Sequence, residues 1–264
     1  MRKNGFLSLL YHTLFIAFIV APLLVVVLVS FTSKGYISLP TDGLSLRWFR
    51  AIGGANEIVN AFWLSLWLGL TSATVAVLLS VPAALALVRY RFTGRGALTA
   101  FFMSPLMIPH VVLGVAFLRF FGTVGVTGSF FWLCLTHVVV VMPYALRLVL
   151  ASATGLEQDA ERAALSLGAS RFTAFRRIVL PMILPGVVGG WMLAFIQSFD
   201  ELTMTIFVAT PGTTTLPVAM YNQIAQTIDP LVASVSTVLI VGTFVLMLLL
   251  DRIVGLDRVL IGKG

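Results

Sequence analysis

Residues 156–181 read LEQDAERAALSLGASRFTAFRRIVLP, and this polar interruption in an apolar chain decides the fold. Leu156, Ala160, Ala163, Ala164 and Leu167 recur at helical spacing and form one apolar face made mostly of small residues. Glu157, Asp159 and Glu161 crowd the first turns, where the positive end of the helix dipole favours anions. Gly168 is placed to end that helix, and Ser170 to cap a second, short one. The second helix would turn Phe172, Phe175 and Val179 towards a bundle and Arg171, Arg176 and Arg177 towards water, with Pro181 closing the segment. The expected product, about 156–177, is a helical hairpin with a smooth alanine face. Such a face suits the groove of another protein, because small residues allow close approach. It equally suits an amphipathic connector lying on a membrane surface.

Outward from this segment the chain is a membrane protein. It has 264 residues, 59% hydrophobic and only 10% charged, with a mean hydropathy of +1.04. A soluble domain carries about a quarter charged residues. A helical membrane crossing needs roughly 20 apolar residues. Six stretches qualify, at about 9–31, 61–88, 98–121, 130–151, 182–209 and 231–250, so an all-α integral membrane fold in a single domain is expected over 1–264. Pro22, Pro82, Pro105, Pro109, Pro143 and Pro185 fall within or beside these stretches. Prolines are tolerated there because neighbouring helices satisfy the freed backbone groups. The basic start, Arg2 and Lys3, leads into a span-length apolar run without a small-residue cleavage pattern, read as a retained first helix. Cys134 is the single cysteine, so no internal disulfide can form.

Six crossings put both termini on one side. Thirteen Lys and Arg residues fall on that side and four (Lys34, Arg47, Arg50 and Arg119) on the other, which makes the termini cytoplasmic. The net charge of +7 is thus a topology signal, and nucleic acid is not an expected partner. The first outer loop, about 32–60, holds Leu44, Leu46, Trp48 and Phe49, a pattern for a short interfacial helix.

Within the apolar stretches a few polar residues stand out. Asp200 and Glu201 are adjacent carboxylates late in the fifth stretch. Ionised in lipid, each would cost about 2.5–3.5 kcal/mol at mid-membrane. They therefore face protein, water or a cation, either on a translocation path or gate, or beside a partner such as Arg119 near the outer interface. His110 follows Pro109 in the third stretch and His137 lies in the fourth. His110 is a further candidate for the translocation path or gate, with a packed hydrogen-bonding role competing, whereas His137 is read as a packing residue. Trp191, Gln197 and Tyr221 are candidate path-lining residues, aromatic faces being suited to ammonium groups, and helix packing is the competing role. No phosphate-cradling G-x-x-x-x-G-K-[ST] occurs, nor H-E-x-x-H, a cysteine cluster or G-x-S-x-G. No catalytic residue, metal site or cofactor is therefore expected in this chain.

The order Ala163-Ala164, Gly168, Ile178, Leu180-Pro181 and Pro185 resembles the EAA motif of bacterial ABC importer permeases. That motif is Glu-Ala-Ala, three residues, Gly, nine residues, Ile, one residue, Leu-Pro, and the spacing here matches without a gap. Arg162 occupies the usual Glu position and Glu161 stands one residue earlier. Leu46-Arg47-Trp48-Phe49, Ser198-Phe199-Asp200-Glu201, Pro211-Gly212 and Thr215-Leu216-Pro217 are similar to the second permease subunit of the spermidine/putrescine branch, which usually has an acid where His110 stands.

The resemblance implies a type I ABC importer permease in the bacterial inner membrane, with six transmembrane helices and a cytoplasmic coupling helix between the fourth and fifth. Glu161, Ala163, Ala164, Gly168, Ile178, Leu180 and Pro181 would form the ATPase-coupling segment. A second homologous permease, two ATPase subunits holding ATP and Mg, and a periplasmic or lipid-anchored binding protein would complete the assembly. Its solute would be a polyamine or a related small amine. The residues alone leave open a proton-coupled secondary transporter working through Asp200 and Glu201.

Overall fold

The computed structural model describes residues 5–156, 159–227 and 229–254, and every regular element among them is helical. Glu157, one of the acids expected in the first turns of the hairpin, and Arg2, Lys3, Arg258 and Lys263, four of the thirteen positive residues, lie outside the described residues. The described residues form two compact units, one from 5–60 together with 219–250, the other from 61–218 and 251–254.

The first unit holds α1 (Phe6–Val29) and α2 (Arg47–Ile52), with most of α11 (Leu216–Gln226) and α12 (Leu231–Val254). Nearly every large apolar side chain of α1 is exposed. A helix that is apolar all round requires lipid or another protein about it. The Ser234 hydroxyl on α12 donates to the Ser30 carbonyl at 3.3 Å, and Asp229 Oδ1 accepts the Leu231 N–H at 2.6 Å where α12 begins. The expected short helix in the outer loop is present as α2. Its Trp48 indole donates to the Lys34 carbonyl at 3.1 Å. A hydrogen bond and the charge of Asp42, 3.2 Å away, hold the Lys34 ammonium above its ordinary pKa.

The second unit is built around α6 (Phe130–Thr154), whose Val140, Val141, Ala145, Leu146 and Val149 are buried. Most of α3 (Asn56–Arg89) packs on it through Ala73, Ala76 and Ala84, and α9 (Leu180–Phe199) through Ile183 and Ala194. Lipid tails are as apolar as the side chains, so close van der Waals packing of small residues holds such helices together. Gly186 and Gly190, one turn apart on α9, bring it onto α6: a Cβ at Gly186 would collide with Ser152 Oγ and stand 2.6 Å from the Leu148 carbonyl.

Two of the six expected stretches are not single helices. In place of 98–121 the chain has α4 (Arg95–Met103), a 3-10 turn Ser104–Leu106 and α5 (His110–Val124), bent by 96° at the break. Pro105 and Pro109 lack the N–H groups a continuous helix needs there. The stretch 182–209 breaks where α9 stops at Phe199, and only a single turn, α10 (Thr205–Val208), follows. At its cytoplasm-assigned end, by contrast, the fifth helix starts earlier than expected. Residues Arg171–Phe199 run without interruption, so Pro181 sits inside the first turn of α9 and does not close the segment. A π-helical turn, Phe175–Val179, precedes the proline; such turns accommodate a local mismatch in helical hydrogen bonding. Among the described residues four single helices, 6–30, 56–89, 130–154 and 171–199, are long and apolar enough to cross a membrane; the bent pair is a fifth candidate, and 231–245 is a shorter apolar helix.

Candidate functional site

The polar hairpin forms as its capping residues require. Helix α7 (Asp159–Ser166) ends at Gly168, whose φ of +88° is the left-handed conformation that glycine adopts freely. The Ala169 N–H reaches back to the Ala164 carbonyl at 3.0 Å and the Gly168 N–H to Leu165 at 3.1 Å, satisfying the last carbonyls. Ser170 Oγ then accepts the Thr173 N–H at 3.2 Å and starts α8 (Arg171–Ala174). Ala163 is exposed, Ala164 half-buried, and Arg171, Arg176 and Arg177 face out. Val179 is buried, while Ile178 and Leu180 are half-buried and Pro181 is exposed. Phe172 does not pack inward as expected. It is 70% exposed and Leu167 is 88% exposed, while Ala174 and Val179 are the buried residues of the stretch that follows. Two large apolar side chains thus stand exposed in a charged, polar segment.

Glu161 has an internal partner. Its Oε2 lies 2.6 Å from Arg89 Nη2 at the end of α3, with both side chains partly buried. In sequence Glu161 stands among the expected docking residues, and Arg89 counts only as one of the thirteen positive residues of the cytoplasm-assigned side. The pair, 72 residues apart, has no local signature. It ties α7 to the end of α3. Charge reversal at either position, R89E or E161R, is expected to speed tryptic cleavage of the hairpin at Arg171 or Arg176, and the double swap to restore resistance. A coupling of about 1 kcal/mol is expected from the cycle; no restoration would mean the pair does not hold the hairpin.

The second cluster lies at the two helix breaks. His110 is the first residue of α5, and its Nδ1 stands 2.7 Å from Glu201 Oε2. Glu201 is 7% exposed, and its other oxygen accepts the Met204 N–H at 2.7 Å. Its partner is therefore His110 and backbone, in place of the Arg119 considered above. Asp200, next in the chain, is exposed. Helix geometry would set the two about 100° apart, and the end of α9 at Phe199 separates their environments further.

His137 takes the packing role. It is fully buried, with Nδ1 2.8 Å from Ser198 Oγ and Nε2 3.1 Å from Thr205 Oγ1. It thereby joins the end of α9 to α10 across the break, a function that Ser198 and Thr205 gave no sign of in sequence. Trp191 donates to Thr74 Oγ1 at 3.0 Å and stacks on Phe195 at 5.7 Å between centroids. Gln197 is half-buried, and Tyr221, in the first unit, is exposed. The structure thus joins His110 to Glu201, while Trp191 turns to Thr74.

With this geometry in hand, comparison with known proteins defines the class. The profile of the family described as "Binding-protein-dependent transport system inner membrane component" matches residues 76–256. The chain belongs to that family. It is 28% identical over 258 residues to the spermidine/putrescine transport system permease protein PotC of Escherichia coli K12, covering 98% of this chain and 95% of PotC. It is 32% identical over 232 residues to the putrescine transport system permease protein PotI of the same organism, covering 84% of this chain and 82% of PotI. A chain in the crystal structure of a bacterial ABC transporter involved in the import of the acidic polysaccharide alginate shares the fold, with a TM-score of 0.75, 12% identity and coverage of 95% and 96%. The protein is accordingly a multi-pass membrane permease subunit of an ABC importer. Of the two transport readings the residues left open, the proton-driven one falls away.

Proposed function

We propose that this chain is one permease of a pair, crossing the bacterial inner membrane six times with both termini cytoplasmic, and that both compact units belong to that one permease domain. The hairpin 156–177 docks into an ATPase subunit, two of which hold ATP and Mg. A periplasmic or lipid-anchored binding protein delivers solute from outside. ATP binding closes the ATPase pair, moves the hairpin and turns the pathway outward, and hydrolysis resets it. The observation that carries this reading is the hairpin itself: a capped α7 with its alanines at the surface, and Leu167 and Phe172 exposed beside it.

The solute we assign is a polyamine such as putrescine or spermidine, or a related small amine. The relatives named above support it, as does Asp200, an exposed carboxylate just past the end of α9. Since Glu201 is already satisfied by His110 and Met204, Asp200 is the acid left to attract an ammonium group on the path.

Purification of the tagged chain from its native membrane in mild detergent tests the assembly. A second permease and an ATPase are expected to co-purify. In proteoliposomes with the binding protein, ATP-dependent uptake of labelled spermidine or putrescine is expected, and D200N should lower it about tenfold, the loss of roughly one good charged contact. A chain that purifies alone and transports on a proton gradient would sink the assembly. Full uptake by D200N would remove Asp200 from the path.

A further inference from the structure

The two interrupted helices of the second unit meet at their breaks. The chain bends by 96° between α4 and α5, and α5 starts at His110 immediately after Pro109. Residues 200–204 are the unwound turn between α9 and α10. Glu201 belongs to that turn and its carboxylate is shared between the turn's own Met204 N–H and His110 Nδ1, both at 2.7 Å. A turn further along α5, Gly114 lies against the same segment: a Cβ there would stand 2.9 Å from the Met204 carbonyl and 2.7 Å from Phe207 Cδ2. Two independent contacts, one hydrogen-bonded and one steric, thus press the unwound turn onto α5. Met204 is fully buried beneath them.

We propose that His110 is a positioning residue which, acting through Glu201, clamps the unwound turn 200–204 to the start of α5, so that the two helix breaks move as one body during transport. An unwound turn has few backbone hydrogen bonds of its own, and is the place where a helix bends most easily. Without the clamp α5 and α9 would respond separately, and movement begun at the hairpin, which is continuous with α9 from Arg171, would not reach α5. The same clamp buries Glu201 and leaves Asp200 exposed beside it. The functional part of this inference rests on the reading above that ATPase and binding-protein subunits work through this chain.

The test has two arms on one set of variants, H110A, H110Q and G114A. In the first, Met204→Cys in a Cys134→Ser chain reports on the turn in native membranes through its rate of labelling by a small methanethiosulfonate reagent. H110A is expected to speed labelling at least tenfold, G114A to do the same by steric separation, and H110Q, which keeps an N–H donor, to stay within about threefold of the parent. In the second arm, on the complete purified assembly without the reporter, H110A and G114A are expected to hydrolyse ATP at nearly the same rate with and without binding protein, and H110Q to keep the dependence.

Unchanged labelling in H110A overturns the clamp. Faster labelling with binding-protein dependence intact overturns its role in coupling, as does H110Q behaving like H110A. Should H110A not reach the membrane, H110L, which fills the space of the ring without a hydrogen-bonding group, replaces it with the same expectations. If the unmodified assembly shows no binding-protein-dependent hydrolysis, the assembly reading has failed and the labelling series decides the clamp by itself.

Discussion

Gly186→Val is expected to destabilise the second unit by about 3 kcal/mol or more, at the top of the range for overpacked cores. The added side chain has nowhere to go. Even a Cβ collides with Ser152 Oγ and comes within 2.6 Å of the Leu148 carbonyl, and the backbone of α6 cannot withdraw without unpacking Val149 and Leu146, both buried. Gly189 on the same helix is the control. A Cβ there meets only Leu148 Cδ1 at 3.6 Å, an ordinary contact, so G189A should be neutral within about 0.5 kcal/mol or stabilising through better helix propensity. Thermal unfolding in detergent, followed by tryptophan fluorescence, reads both. Equal melting temperatures for G186V and G189A would mean that α6 and α9 do not approach as closely as described.

Ala164→Trp should leave the chain folded and remove its ATPase partner. Ala164 is half-buried on the hairpin, so the indole can project outward, but it would fill the space a docked subunit must occupy. Losing a central docking contact costs about 2 kcal/mol or more, roughly thirtyfold in affinity. Gly168→Ala should do less. Nothing stands within 4 Å of a Cβ at Gly168, and the cost is confined to its left-handed backbone, about 1 kcal/mol. Co-purification of the ATPase with each variant, at equal membrane levels of the permease, measures the difference. An A164W chain that still brings down the full complement of ATPase would move the docking surface elsewhere, to the neighbourhood of Leu167 and Phe172.

Much of this architecture was legible before any coordinates. Alanine periodicity, Gly168 and Ser170 predicted the hairpin, and the caps form on those two residues. Local chemistry is enough there, since a left-handed glycine and a serine cap act within four residues. Hydropathy predicted helices near all six apolar stretches, but it measures composition along the chain and is blind to breaks. It ran through Pro105 and Pro109, and through Asp200 to Met204, where the chain bends or unwinds. The prolines were a visible warning. The second break had no such marker, because its unwound turn is stabilised by Glu201 and by His137 with Ser198 and Thr205.

The candidate site divides in the same way. That Asp200 and Glu201 required partners or water followed from the cost of a charge in lipid. Which of them would be buried did not. The sequence by itself determined the membrane class, the helical hairpin, the family motif and the list of polar residues needing an explanation, because composition, capping and spacing are properties of neighbouring residues. Tertiary structure decided the pairings: Arg89 with Glu161, His110 with Glu201, His137 with Ser198 and Thr205, and Gly186 against Ser152. These contacts join residues dozens of positions apart, and only the packing of one helix on another sets distances of a few ångströms between them.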